Sequence, residues 1–220
     1  MVAGTPDTLR PSTRLLIEFA ALYIGAPLAM ALFLPPRLLF PALALLMLAG
    51  LILLWRTGGF DWGSLIRGWG RISWGQVALV AALTLTSGGL ILWLSRPEAM
   101  FGILRTRPMF ILLIWLLYPL LSALPQELIF RPLFFHRFGS LFPDARSAIL
   151  ANAAIFSLAH LMYWSAIVAV LTFFGGLIFA HAYIRRGFPA AWVLHAVAGN
   201  VIFAVGMGAY FYTGNVVRPF

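Results

Sequence analysis

The sequence predicts an all-α, polytopic transmembrane bundle of about seven helices, with the N-terminus inside. Three observations carry this expectation. Of 220 residues, 62% are hydrophobic and only 10% are charged, too little polar surface for a soluble domain of this length. The apolar residues fall in runs of about 20, the length that crosses a hydrocarbon core. The runs are continuous rather than alternating, so the backbone satisfies itself within helices and not in a closed barrel. No internal repeat or low-complexity tract divides the chain, and residues 1–220 read as one transmembrane domain.

Taken in order, a polar start containing Arg10 and Arg14 leads into a first span of about Leu15 to Leu34. This stretch is too long for a removable signal and lacks a small-residue cleavage site, so it reads as a span. Glu18 lies one turn after Arg14 at the i,i+4 spacing that lets the two pair near the head groups, which gives it a structural role. Pro35-Pro36-Arg37 reverses the chain into a second span, Leu38 to Trp55. Residues 56–74 place Trp62, Ile66 and Trp69 at helical spacing, with Asp61 as an N-cap and Arg67 and Arg71 on the polar side. They read as an interfacial helix or, given Gly63, Gly68 and Gly70, as a loop anchored by tryptophans.

A third span, Gln76 to Leu94, holds Ser87-Gly88-Gly89, small residues that admit a close neighbour. The loop from Ser95 to Pro108 carries Arg96, Glu98, Arg105 and Arg107. A fourth span starts at Met109 and runs past Leu124 into Pro125–Arg137. The fifth runs from about Arg146 to Met162, the sixth from Ser165 to Ile184 with Gly175-Gly176 inside it, and the seventh from Phe188 to about Tyr212.

The net charge of +9 rests on fifteen arginines and no lysine. They are scattered through the loops without a basic block, which points to anionic lipid head groups and not to nucleic acid. With the N-terminus inside, nine arginines fall on inner segments, five on outer ones, and Arg131 within a helix; that excess sets the orientation. Cysteine is absent, which excludes disulfides, thiolate metal sites and a cysteine nucleophile.

Glu127 is the one acid deep within an apolar segment. A charge at bilayer depth costs at least ~2.5 kcal/mol on the most lenient scale, so such a residue faces protein or a wet cavity and is a functional candidate. Arg131 follows at i,i+4 and can pair with it. Pro125 and Pro132 bracket this turn; each removes a backbone donor, so the helix is locally opened where polar groups or water can enter. His160 on the fifth span and His195 on the seventh lie, like Glu127, roughly 10 to 20 Å from the inner ends of their helices at about 1.5 Å per residue. The three can share one layer. His136 and His181 sit near helix ends beside arginines and read as interfacial. A carboxylate and an imidazole can deprotonate a water for attack on a carbonyl, while a second imidazole and an amide hold the oxyanion. The same acid and two histidines would equally suit a zinc ion with an open position for water.

Three stretches carry a resemblance: Gln126-Glu127-Leu128-Ile129-Phe130-Arg131, Phe156-Ser157-Leu158-Ala159-His160 and His195-Ala196-Val197-Ala198-Gly199-Asn200. They resemble the motifs Glu-Glu-x-x-x-Arg, Phe-x-x-x-His and His-x-x-x-Asn of the CPBP intramembrane protease family, which includes CAAX prenyl endopeptidases and bacteriocin-processing or immunity proteins. The likeness spans residues 109–213. It implies an endopeptidase without a cofactor, in which Glu127 and His160 activate water and His195 and Asn200 donate to the oxyanion. Gln126, Arg131, Phe156 and Asn152 support the site. Zinc on Glu127, His160 and His195 is the alternative. The implied partners are the bilayer and a membrane-associated protein or peptide substrate, in a bacterial inner membrane.

Two departures from the motifs bear on mechanism. Gln126 stands where the family has its first glutamate, so either Glu127 takes over the water or the protein is inactive. Asn200 comes five residues after His195, about 140° round a regular helix, with Gly199 at the family's asparagine position. A π-bulge near the glycine would bring Asn200 back. Beside the protease reading stand two others: a non-catalytic immunity or scaffold protein, in which the Glu127–Arg131 pair is structural, and a proton-coupled transporter. The transporter lacks paired inverted halves and a second intramembrane acid.

Overall fold

The computed structural model describes residues 12–212. Arg10 and Arg218, which enter the charge count above, lie outside them. Among the described residues there are no strands, and seven helices are long and apolar enough to cross a membrane: α1 (Thr13–Phe33), α2 (Leu39–Thr57), α3 (Trp74–Ser95), α4 (Pro108–Arg137), α5 (Ala145–Tyr163), α6 (Ala166–Arg186) and α7 (Phe188–Val205). Large apolar side chains such as Leu45, Trp55, Leu94, Met109 and Leu116 point outward, as a lipid-facing surface requires.

α7 is the centre of the bundle. Of its span 56% is buried, against at most 33% for any other helix, and it packs on α3, α4 and α6. Small residues let the helices close up around it. A Cβ on Gly88 of α3 would stand 3.0 Å from Val205, and one on Gly176 of α6 would stand 3.0 Å from the Ala153 backbone of α5. In lipid, where apolar surface gains little from burial against another helix, such close backbone approach is a main source of helix association.

α4 is 30 residues long and not a regular helix. Wider π-helical turns occupy Pro119–Ala123 and Ile129–Leu133, the second containing Pro132. A proline has no N–H to give, so the turn widens and carbonyls are left over. Side chains from other helices take two of them: the Tyr23 hydroxyl donates to the Ile129 carbonyl at 2.6 Å, and the Asn152 amide donates to that of Phe130 at 2.7 Å. Beside Pro132, polar side chains of α1 and α5 thus enter the expected opening.

Three local expectations need correction. Residues 58–73 do not form an interfacial helix; two short 3₁₀ turns, Trp62–Leu65 and Trp69–Arg71, flank Gly68 at φ +105°, a conformation that ends helices. The tryptophan-anchored loop is what forms. Asp61 does not cap a helix through its side chain but pairs with Arg67. The seventh span stops at Val205 and not at Tyr212: Gly206 turns the chain at φ +107°, where a Cβ would overlap the Ala99 carbonyl, and the Phe101 amide donates to the Val205 carbonyl at 2.8 Å. Glu18 does pair with Arg14, Nε to Oε1 at 2.9 Å, and it also accepts from Arg137 of α4, Nε to Oε2 at 3.0 Å. That second pair ties α1 to the end of the site helix.

Candidate active site

Glu127 is fully buried where α4, α5 and α7 meet, and every strong partner it has is charged or polar. Arg131 grips it with Nε to Oε2 at 2.9 Å and Nη2 to Oε1 at 3.3 Å. The pair is one helical turn apart on α4, so the i,i+4 spacing alone brings them together. Arg131 also donates to the Asn152 side chain from α5, and its guanidinium lies over the Phe156 ring, 5.3 Å from the centroid. His195 of α7 completes the network: its Nδ1 is 2.9 Å from Glu127 Oε1. A carboxylate at Nδ1 fixes the imidazole tautomer with the proton on Nδ1, which leaves Nε2 as an acceptor.

The other side of this network faces a cavity of about 1180 Å³. Gln126, His160, His195, Phe156 and Tyr118 line it; Glu127 does not. Successive residues on a helix point about 100° apart, so with Glu127 turned into the core Gln126 is the motif-one side chain that meets the cavity. The Gln126 amide donates to Ser122 Oγ at 3.0 Å, leaving its carbonyl oxygen to accept. His160 caps the end of the regular α5 segment and holds the Phe156 carbonyl with Nδ1 at 2.7 Å. Its proton is thereby placed on Nδ1, and the lone pair on Nε2 is left over. Both imidazoles rest on the same ring: His160 is 4.7 Å and His195 5.5 Å from Phe156, centroid to centroid. Phe179 stacks on His195 from α6 at 4.9 Å.

Tyr118 was not among the residues the sequence singles out. Its hydroxyl lies 3.1 Å from His195 Nε2, and it stands directly before the first π-helical turn of α4. The Trp192 indole N–H donates to the Pro119 carbonyl at 2.8 Å and holds the backbone next to it. The only sequence signal for this contact is Gly199, one turn after His195: a Cβ there would overlap the Tyr118 ring.

The family model for type II CAAX prenyl endopeptidases, Rce1-like, matches residues 108–213. Over this stretch the chain is similar to the CAAX protease family. The match covers α4 to α7, so the whole Glu127 network and His160 fall inside the family's part of the chain, and α1 to α3 fall outside it. No curated protein and no solved structure matches the chain. Seven apolar helices and the likeness to a membrane protease family make this an integral membrane protein.

Against the family's motifs, Glu127, Arg131, Asn152, Phe156, His160 and His195 come together as one cluster, with Gln126 at its edge. Asn200 does not join them. α7 stays regular through Gly199, with no π-bulge, so Asn200 points away from His195. Its amide donates to the Trp115 carbonyl at 3.3 Å, the Trp115 indole donates to its carbonyl at 3.1 Å, and its Oδ1 is buried without a partner among the described residues. The zinc alternative fares no better. Both Glu127 oxygens face Arg131 and His195, His195 turns Nε2 to Tyr118, and no group of three acids or histidines among the described residues is arranged to hold a metal. As they stand, these three side chains do not fit a zinc ion.

Proposed function

We propose that the protein is an active intramembrane endopeptidase that hydrolyses a peptide bond near the C-terminus of a membrane-associated substrate, either prenylated or a peptide precursor. It acts in a bacterial inner membrane with its N-terminus inside. The observation that supports this most is His160. An imidazole whose Nδ1 is committed to a carbonyl presents a basic Nε2, and it lies in a cavity large enough for a peptide with an apolar attachment.

In the proposed reaction a water is positioned by donating one hydrogen bond to the Gln126 carbonyl oxygen and gives its other proton to His160 Nε2 as it attacks the scissile carbonyl. The C–N bond then breaks and His160 returns the proton to the leaving amine. Glutamine cannot deprotonate a water, so the base is the histidine alone. Glu127 has a different task from the one the motif suggests: paired with Arg131 and sealed from the cavity, it holds His195 in one tautomer and one orientation. The reaction is metal-free as proposed. Purified protein in vesicles with a panel of quenched peptides, prenylated and unlipidated, tests it. His160→Ala should lower kcat by about 10² to 10⁴ with the thermal transition unchanged; undiminished cleavage would reject the proposal.

One observation favours a non-catalytic reading of the same fold, the glutamine in place of the family's first acid. Under it, His160→Ala preserves whatever the protein does in cells, and only disruption of Glu127 and Arg131 matters, through stability. The two readings part on that single variant.

A further inference from the structure

We infer that Tyr118 supplies the hydrogen bond to the oxyanion that forms on the scissile carbonyl, from α4, in the place where the family's motif puts an asparagine amide from α7. The inference rests on the endopeptidase reading above and adds a residue that no motif contains.

Three observations carry it. The first is a vacancy and its filling. Position 199, one turn beyond His195, faces the site and has no side chain, while Asn200 faces Trp115. A glycine within a helix is less favourable than an alanine, so one that faces a packed neighbour marks a need for space. Here the space is occupied by the Tyr118 ring, which any Cβ at 199 would overlap. Tyr118 and Gly199 therefore form a complementary pair: the phenol requires the glycine, and the glycine without the phenol would leave a hole beside His195.

The second is where the polar atom ends up. Tyr118 is half-buried, packs edge-on to Phe203 at 5.6 Å, and puts its hydroxyl on His195 Nε2 at 3.1 Å within the cavity that His160 and Gln126 also line. For packing alone a phenylalanine would serve, as Phe203 does next to it. The third is rigidity. The indole of Trp192 holds the Pro119 carbonyl, and the His195 that receives the phenol is itself fixed by Glu127. Donors held in place before the reaction are the kind that stabilise developing charge.

The chemistry balances with no added reagent. At rest the phenol O–H donates to His195 Nε2, since the His195 proton is on Nδ1 toward Glu127. As water adds to the carbonyl carbon and its proton passes to His160, the π pair moves onto the carbonyl oxygen. The hydroxyl, a free rotor about its C–O bond, turns from the imidazole to that oxygen. When the C–N bond breaks, the carbonyl reforms, the amine takes the proton from His160 and the phenol returns to His195. Tyr118 gives up no proton at any stage.

The experiment uses the full-length protein in vesicles and the same quenched peptides. Tyr118→Phe keeps the ring over Gly199 and removes only the hydroxyl. It should reduce kcat about 10²- to 10³-fold, as loss of one oxyanion donor does, with KM changed less than about threefold and the thermal transition retained. Tyr118→Ala should be impaired at least as much, and adding Gly199→Asn to it should recover about tenfold or more, because the amide then occupies the emptied space. A Tyr118→Phe enzyme with kcat within about twofold of the parent would overturn the inference while His160-dependent cleavage left the protease reading standing. A parent protein whose cleavage did not depend on His160 would overturn both.

Discussion

Replacing Glu127 by glutamine would leave Arg131 as a buried cation with only neutral acceptors, the new amide oxygen and Asn152, above the face of Phe156. Breaking a buried ion pair from one side costs about 3 to 5 kcal/mol, because the desolvated charge that remains has no counterion. We therefore expect Glu127→Gln to lower the thermal transition in detergent markedly and to reduce cleavage, with His195 held by a weaker, uncharged acceptor. His160→Ala should leave the transition nearly unchanged while removing cleavage. Loss of activity on mutating Glu127 is thus no proof that it is the base, and the pair of melting curves separates the two roles. The double variant Glu127→Leu/Arg131→Met, which removes both charges, should melt closer to the parent than Glu127→Gln does; an equal or greater loss would mean that the ion pair is itself a net source of stability. At this scale much of the site was legible. A deep acid, an arginine at i,i+4 and two histidines on separate spans are rare enough in an apolar chain to be grouped on sight. Which of Gln126 and Glu127 faces the cavity was not, because adjacent residues differ only by a rotation that packing decides. Tyr118 was invisible for a related reason: a tyrosine in an apolar run looks like any interfacial aromatic, and its partner is a glycine on another helix.

The elements show how α4 is kept open without being wasted. Pro132 lies in a widened turn, and two carbonyls of that turn, Ile129 and Phe130, accept from two sides, from Tyr23 of α1 and Asn152 of α5. The prolines announced the irregularity in the sequence; the groups that repair it could not be found there, since they lie far away in the chain. Tyr23→Phe tests the repair. It removes one buried hydrogen bond and leaves the Ile129 carbonyl with an unmet lone pair in a dry core, which costs about 1 to 3 kcal/mol. The expected result is a lower melting transition with kcat per folded molecule little changed, because Tyr23 is buried and does not line the cavity. An unshifted transition would mean that the widened turn tolerates the bare carbonyl. The loop over residues 58–73 makes the complementary point. Its tryptophans have helical spacing, but Gly68 at positive φ breaks the run, and glycine content carried more information there than periodicity.

For the whole molecule, the family's part of the chain does not enclose its own cavity. The catalytic candidates come from α4, α5 and α7, yet Val80, Leu83, Thr84 and Ser87 of α3 and Leu39 and Phe40 at the start of α2 line the same space, with Arg37 beside them. These residues precede the stretch that matches the family model. The chemistry thus sits in the family's part of the chain, while one wall of the container comes from the helices that precede it, and that wall is where substrate choice would reside. If an apolar attachment on the substrate lies along α3, filling that wall should weaken binding without touching the reaction. Leu83→Trp is the test, since Leu83 lines the cavity and its bulk can grow into open space rather than into a packed neighbour. With a prenylated quenched peptide, KM should rise by about tenfold or more while kcat stays within about threefold, the pattern of lost uniform binding. An unlipidated peptide of the same sequence should show no such rise. An equal loss on both peptides would place the peptide chain itself along α3, and an unchanged KM on both would mean that the substrate does not lie along α3.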